Sequence, residues 1–381
     1  MAEEDYVIVE RETPTHHKLP PPPPSPSPSP PPTPRLTPHL FFPCEDNKTA
    51  HPTNPTTCRL LNLTDDWTQP ISLPHLHNGT SVVCGASSNG YLMTLSPSAD
   101  MHLLNPFTHH SLPLPSLLSF PSVIGFSSSS SSHPPSFVVD QAPTVPWDVI
   151  RRFFIKKAIS FDRTTVVIYG DENSLAFVEV GERGVAWVPL GSTNKRYEDV
   201  VRRRDDGLVW AVTSDGEVEA WDLLSEPPRV VTRVVGGTEL NPKCPAKRYL
   251  VESEEEELWQ ILGEVRYLFF DETGAKSRSL VRTKGFKVFK LRPDQNGWVR
   301  MSGVGDDRVL FLGNSESVSL PVEDVPGIRK GNRIYFTDDN KVPFGGHDTG
   351  VYDFDDDCID EWSNESAASP APVWVFSHTH V

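Results

Sequence analysis

Cysteine is scarce. Five occur in 381 residues (Cys44, Cys58, Cys84, Cys244 and Cys358), an odd number without a Cys-x-x-Cys pair. That excludes a disulfide-dense scaffold and a thiolate zinc ribbon, and it predicts free thiols in a reducing compartment. Long apolar runs are missing too. No stretch approaches the ~18 residues of a membrane span, and the apolar residues between Leu112 and Val139 are broken by prolines and serines. The opening MAEEDYVIVERE has neither the apolar centre of a signal peptide nor the arginines of a transit peptide. Positive charge is short: 35 Lys and Arg face 51 Asp and Glu, a formal charge of −16. A nucleic-acid surface needs the opposite balance. Even the run Arg202-Arg203-Arg204 is followed at once by Asp205-Asp206, the pattern of a solvated loop. These absences predict a cytoplasmic or nuclear protein with no membrane and no nucleic-acid partner.

Proline is plentiful, with 38 residues, many of them in the first 40. From Leu19 to Pro38 the chain is mostly Pro with Ser and Thr, which favours an extended polyproline-II tail. We read residues 1–39 as a disordered tail and 40–381 as the folded domain. The tail is a spacer, a docking site for a proline-recognising domain, or a carrier of Ser-Pro and Thr-Pro phosphorylation sites at Ser25, Ser27, Ser29, Thr33 and Thr37. Asn47, Asn62, Asn78 and Asn364 begin N-x-Ser/Thr triplets, taken as chance without a secretory signal.

Beyond the tail, short strand signals dominate. The clearest runs from Gly207 to Leu223, GLVWAVTSDGEVEAWDL. Two apolar runs flank Asp215-Gly216, which suits a type I′ hairpin turn with φ > 0 at both residues. Leu208, Trp210 and Val212 fall on one face by the period of two. The layout returns at Asn89–Asn105 and at Gly331–Phe354, so the chain reads as repeated antiparallel units. Cys58–Leu63 is the first strand expected. About fourteen to eighteen short strands without a long amphipathic helix predict an all-β fold. That many exceeds one ordinary sandwich and favours a β-propeller of roughly six or seven blades.

Chemistry-bearing patterns are weak. The histidine groups (His75 and His77; His102, His109 and His110; His378 and His380) lack zinc spacing, and the last pair falls in a stretch expected to fray. Asp353, Asp355 and Asp357 imitate the start of a calcium loop, but Cys358 and Asn364 stand where its Gly and Glu belong. Gly345–Gly350 lacks the Lys-Ser/Thr of a phosphate loop, and there is no G-x-S-x-G elbow. No catalytic residue, cofactor or metal is therefore assigned. Trp210, Trp221, Trp259 and Trp298 read as core. Trp67 and Trp147, in Pro-flanked stretches, are the candidate partner-binding anchors.

Several segments carry a family resemblance. They are Tyr249–Ser253, Phe286–Leu291, Asp307–Gly313 with Ser317–Ser319, Gly331–Asp339 followed by Gly350–Asp353, and Leu103–Thr108. In this order they resemble the plant KIB-type β-propeller, usually found behind an F-box, over residues 55–376. The resemblance implies a monomeric, non-catalytic propeller that binds a target protein, as the substrate receptor of a cullin-type ubiquitin ligase. Residues 1–55 show no F-box pattern of a Leu-Pro opening and spaced leucines. The chain is then an F-box-less relative, or its start was assigned to a different exon. The alternatives are an enzyme using the central pocket, with ionisable groups converging at the channel mouth, and a relic without a partner.

Overall fold

The computed structural model describes residues 35–43, 57–63, 67–73, 76, 80–85, 90–128, 135–139, 144–180, 186–191, 194–235, 246–270, 278–292, 297–337, 348–361 and 372–379. Their strands form seven sheets: five of four strands, one of three and one of five. Six of these sheets are blades. Their inner strands lie side by side in the order Val373–Thr379, Ser81–Gly85, Ile155–Phe161, Tyr197–Arg202, Ala246–Glu252 and Val318–Pro321. The ring closes where Trp374 Nε1, in the first blade, donates to the Leu312 carbonyl of the sixth at 3.0 Å.

The three-stranded sheet (Val123–Ser127, Ser136–Val139 and Val145–Pro146) is not a seventh blade. The inner strands before and after it in sequence touch each other directly. The sheet is instead wedged between the second and third blades, together with the helix Trp147–Phe153. Phe120, Phe137, Ile150 and Phe154 knit it to Leu103 and Tyr169 in one apolar cluster.

Blades pack on both faces, and this shapes their sequences. All of Val209–Thr213 is buried. Trp210 and Val212 enter the cluster shared with the fifth blade, while Val209 and Ala211 enter the one shared with the third. The expected alternation holds, but neither face is wet. Each fully buried side chain of this size contributes roughly 1.5–3 kcal/mol. The hairpin turn differs from the type I′ expectation. Gly216 has φ +85° and Asp215 does not have positive φ. The Gly216 N–H bonds to the Thr213 carbonyl, and the Thr213 N–H to that of Glu217, both at 2.9 Å. This is a type I turn closed by a left-handed glycine, so only one residue must leave the favoured region.

The first strand is not Cys58–Leu63 but Arg35–Phe42. It pairs with Val373–Thr379, Arg35 opposite Thr379 and Phe41 opposite Val373, and so joins the chain's two ends in one blade. The folded unit therefore begins inside the stretch read as tail. Thr37 is buried in this strand, not displayed for phosphorylation, and His378 is part of the sheet rather than frayed. Ser25, Ser27, Ser29, Thr33 and His380 lie outside the described residues. The free-thiol expectation holds for Cys84, buried, and Cys358, exposed. Cys58 departs from it, being disulfide-bonded.

His39 sits in the closing strand, its Nε2 2.9 Å from Ser377 Oγ and its ring tilted on Phe107. Burial lowers its pKa to about 4. In the unfolded chain a histidine titrates near 6.5. Between those values the unfolded state binds a proton that the folded state refuses. Stability contributed by neutral His39 is complete above pH 6.5 and is lost as pH falls toward 4. The expected loss is about 2–3 kcal/mol. Urea unfolding across this window should show the decline in the wild type, with His39→Gln flattening that part of it. An equally steep profile in the variant would contradict the assignment.

Candidate functional site at the propeller axis

The five residues Gly313-Asn314-Ser315-Glu316-Ser317 link Arg308–Leu312 to the inner strand of the sixth blade. They turn inward. Ser317 Oγ donates to Asp199 Oδ2 at 2.8 Å and accepts from Lys157 Nζ at 2.9 Å. Lys157 Nζ also lies 2.6 Å from Asp199 Oδ1. The same carboxylate accepts the Val200 N–H at 2.6 Å and the Leu250 N–H at 3.0 Å. Two residues earlier, Ser315 Oγ donates to the Trp374 carbonyl at 2.7 Å. One loop thus reaches the first, third and fourth blades directly and the fifth through Asp199. Only the axis allows that.

The second blade explains a glycine. A Cβ on Gly85 would lie 2.3 Å from Ser315 Oγ and 2.7 Å from the Trp374 carbonyl oxygen. No larger residue fits where the loop presses on the inner strand.

The assembly is buried. Asn314, Ser315, Ser317 and Lys157 are almost fully covered, and Asp199 is 0% exposed. Burial pushes the Asp199 carboxyl pKa up, while Lys157, the Leu250 N–H and Ser317 pull it back. Lysine, serine and aspartate in contact have the composition of a hydrolytic set. Their arrangement serves another purpose. The Ser317 proton is committed to Asp199 and the lysine ammonium to both partners, and the buried atoms offer a substrate no approach. A buried pair with every hydrogen-bonding position used fixes geometry, and removing one partner strands the other. The cluster locks the blades.

A second polar cluster lies at the outer part of the sixth blade. The Lys330 ammonium sits 2.7 Å from Asp353, 3.1 Å from Asp355 and 3.7 Å from Asp356. Arg333 Nε adds 2.9 Å to Asp353. A lysine therefore occupies the centre of the calcium-like run. Burial alone would raise the Asp353 pKa, but hydrogen bonds from Lys330 and Arg333 outweigh it and hold the carboxyl at about 2. Asn332 Oδ1 accepts the Val304 N–H at 2.9 Å, and its Nδ2 donates to Asp355 at 2.7 Å. The segment Gly331–Phe354 thus carries blade-stapling polar contacts.

The sequence profile described as the KIB1-4 beta-propeller matches residues 60–353. The chain belongs to the KIB1-4 β-propeller family. Two curated relatives from Arabidopsis thaliana align over most of it. A putative F-box protein is 25% identical over 283 residues, covering 73% of this chain and 68% of the relative. F-box protein SKIP23 is 24% identical over 263 residues, covering 61% of this chain and 60% of the relative. Among solved structures, the RRP9 WD40 repeats align over 85% of this chain and 88% of theirs, at 9% identity and a TM-score of 0.34.

In this KIB1-4 propeller the residues singled out by sequence fall as follows. Trp147 is 8% exposed and packs near Phe137 in the wedge, a core position with little surface for a partner. Trp67 opens the outer strand Trp67–Ser72, opposite Asn62; its side chain lies outside the description. Trp210, Trp221 and Trp259 are core, and Trp298 is half-buried against it. His110 Nδ1 is 3.0 Å from Tyr91 Oη, and His109 is exposed. His75, His77 and Gly345-Gly346-His347 lie outside the described residues. Among the described residues no three His, Cys, Asp or Glu side chains are grouped to hold a metal ion. Sequence reasoning missed Lys157, Asp199 and Ser317.

The axial lock is open to test by equilibrium unfolding. Ser317→Ala should cost about 1–3 kcal/mol by leaving buried charge under-bonded. Gly85→Ala should cost a similar ~1–3 kcal/mol, because the Trp374 carbonyl cannot give way. A loss below ~0.5 kcal/mol for both, the range of ordinary surface changes, would show that the loop does not hold the ring.

Proposed function

We propose that this chain is a non-catalytic, protein-binding propeller that selects a target for a cullin-type ubiquitin ligase. The observation that carries the reading is that the matched relatives are named F-box proteins and align with this chain along the propeller. The buried axial cluster supports it. With Asn314, Ser315 and Ser317 buried against the inner strands, the loops at the two mouths are the more accessible recognition surface, the usual place for binding residues on a rigid scaffold. A target protein docks across one mouth, in the cytoplasm or nucleus, and the chain acts as a monomer.

The test uses the full chain as bait in an Arabidopsis extract. Each retained protein, and separately the F-box-binding adaptor of cullin ligases, is then purified and titrated against the chain by calorimetry. At least one retained protein should bind one-to-one with micromolar or better affinity, and the adaptor should associate. Absence of any pairwise binding at roughly 100 μM, weaker than about −5.5 kcal/mol, would overturn the protein-binding reading. Failure of the adaptor alone would remove only the ligase role.

A further inference from the structure

The inner strand of the third blade opens on a bulge. Ile155 pairs with Tyr169 and Lys157 with Ile168, so Lys156 is the extra residue between them. A bulge re-aims the side chain it adds. Lys157 reaches Asp199 in the axial cluster, while Lys156 stands beside it at the mouth where the inner strands begin, half-buried.

A lysine head normally stays in water, or pairs where it is covered. Among the described residues Lys156 makes no hydrogen bond and no ion pair. Charges from three blades act on it. Asp171 lies in the turn after Thr164–Tyr169 of its own blade, Arg196 just ahead of the fourth blade's inner strand, and Lys247 near the start of the fifth's. Arg196 is itself held there, donating to the Asp171 carbonyl at 2.9 Å and lying 3.6 Å from Glu172. Burial is the largest influence and lowers the Lys156 pKa. The Asp171 carboxylate counteracts it, and Lys247 and Arg196 add to it. The amine thus gives up its proton more readily than an exposed lysine, and it does so beside two positive charges.

We propose that the Lys156 amine is a modification site that takes dissolved carbon dioxide reversibly as a carbamate. The Nζ lone pair forms the N–C bond to the carbon of CO2, one C=O electron pair moves onto oxygen, and an amine proton leaves to water. Nothing is oxidised or reduced. The product carries negative charge where the ammonium carried positive charge. Repulsion from Lys247 and Arg196 becomes attraction, and only the interaction with Asp171 turns unfavourable. The class of reagent follows from size and charge. A neutral acyl group would gain nothing from the two cations, whereas a small linear molecule that ends as an anion gains from both and can reach a half-covered amine. In the carbamate form the third blade presents an anion to cations of the fourth and fifth, so dissolved CO2 strengthens their contact.

The test incubates the full chain in 13C-labelled bicarbonate at mildly alkaline pH. Carbamates are trapped by ethylation with a trialkyloxonium salt and located by peptide mass spectrometry. Lys284, exposed in the strand Arg278–Arg292 of the fifth blade, is the internal reference. Lys156 should be labelled at least about fivefold more than Lys284. Lys156→Arg, which keeps the positive charge, should abolish the signal at that position. Asp171→Asn removes the carboxylate beside the amine and should raise the labelling by at least about twofold, and Lys247→Gln should lower it by a similar factor of about two. Asp171 is exposed and accepts from Arg196 through its backbone carbonyl, so the Asn variant keeps that bond. Labelling of Lys156 no greater than that of Lys284, or labelling that does not rise in Asp171→Asn, overturns the proposal.

Discussion

The buried contact between Lys157 and Asp199, bridged by Ser317, is the constraint around which the ring is arranged. Apolar packing between neighbouring blades is pairwise: each cluster joins one blade to the next, one of them with the wedge sheet included, and is indifferent to the ring's far side. The axial carboxylate is different. It takes hydrogen bonds from its own strand, from the next blade and from the loop of the sixth, and it faces a lysine from the third. Its desolvation is tolerable only if all these partners arrive together. The cluster thereby couples ring closure to correct docking of several blades at once.

That coupling has a functional consequence. Asn314, Ser315 and Ser317 are buried against the inner strands, so the loops at the rims are the more accessible surface of the described residues. At one mouth Arg308 pairs with the exposed Glu254 and Glu255; at the other, the strands Leu258–Phe270 and Arg278–Arg292 run on past the pairing of Ala246 with Glu264. The closing blade adds a second dependence. His39 and Ser377, 338 positions apart, meet in the pairing of Arg35–Phe42 with Val373–Thr379, so this blade depends on long-range contact.

Much of the fold was legible because its signals are local. The Thr213–Val218 turn announces itself in Asp215-Gly216, and the antiparallel units in Asn89–Asn105 and Gly331–Phe354 follow from alternation and turn residues. What escaped was non-local. Pro38 hid the first strand, yet that residue pairs only toward Phe376; the neighbouring strand begins its pairing at His39, so the missing N–H leaves no gap in the ladder. The wedge sheet went unread, because its short strands lie in a stretch broken by prolines and serines. Asp199 and Ser317 are 118 positions apart, and neither stands in a recognisable pattern. The acidic run at Asp353 was legible as something other than a metal loop, but Lys330 as its cation was not, because a lysine 23 positions away carries no spacing rule.

The most direct test of this account is a double-mutant cycle on the axial pair. Lys157→Met, Asp199→Leu and the double variant would be compared by urea unfolding at pH 7. The account predicts that each single change costs about 3–5 kcal/mol, because a charge is left buried and unpaired, and that the double variant costs much less than their sum. Additive losses, or single changes that cost under ~1 kcal/mol, would contradict the claim that this contact organises the ring.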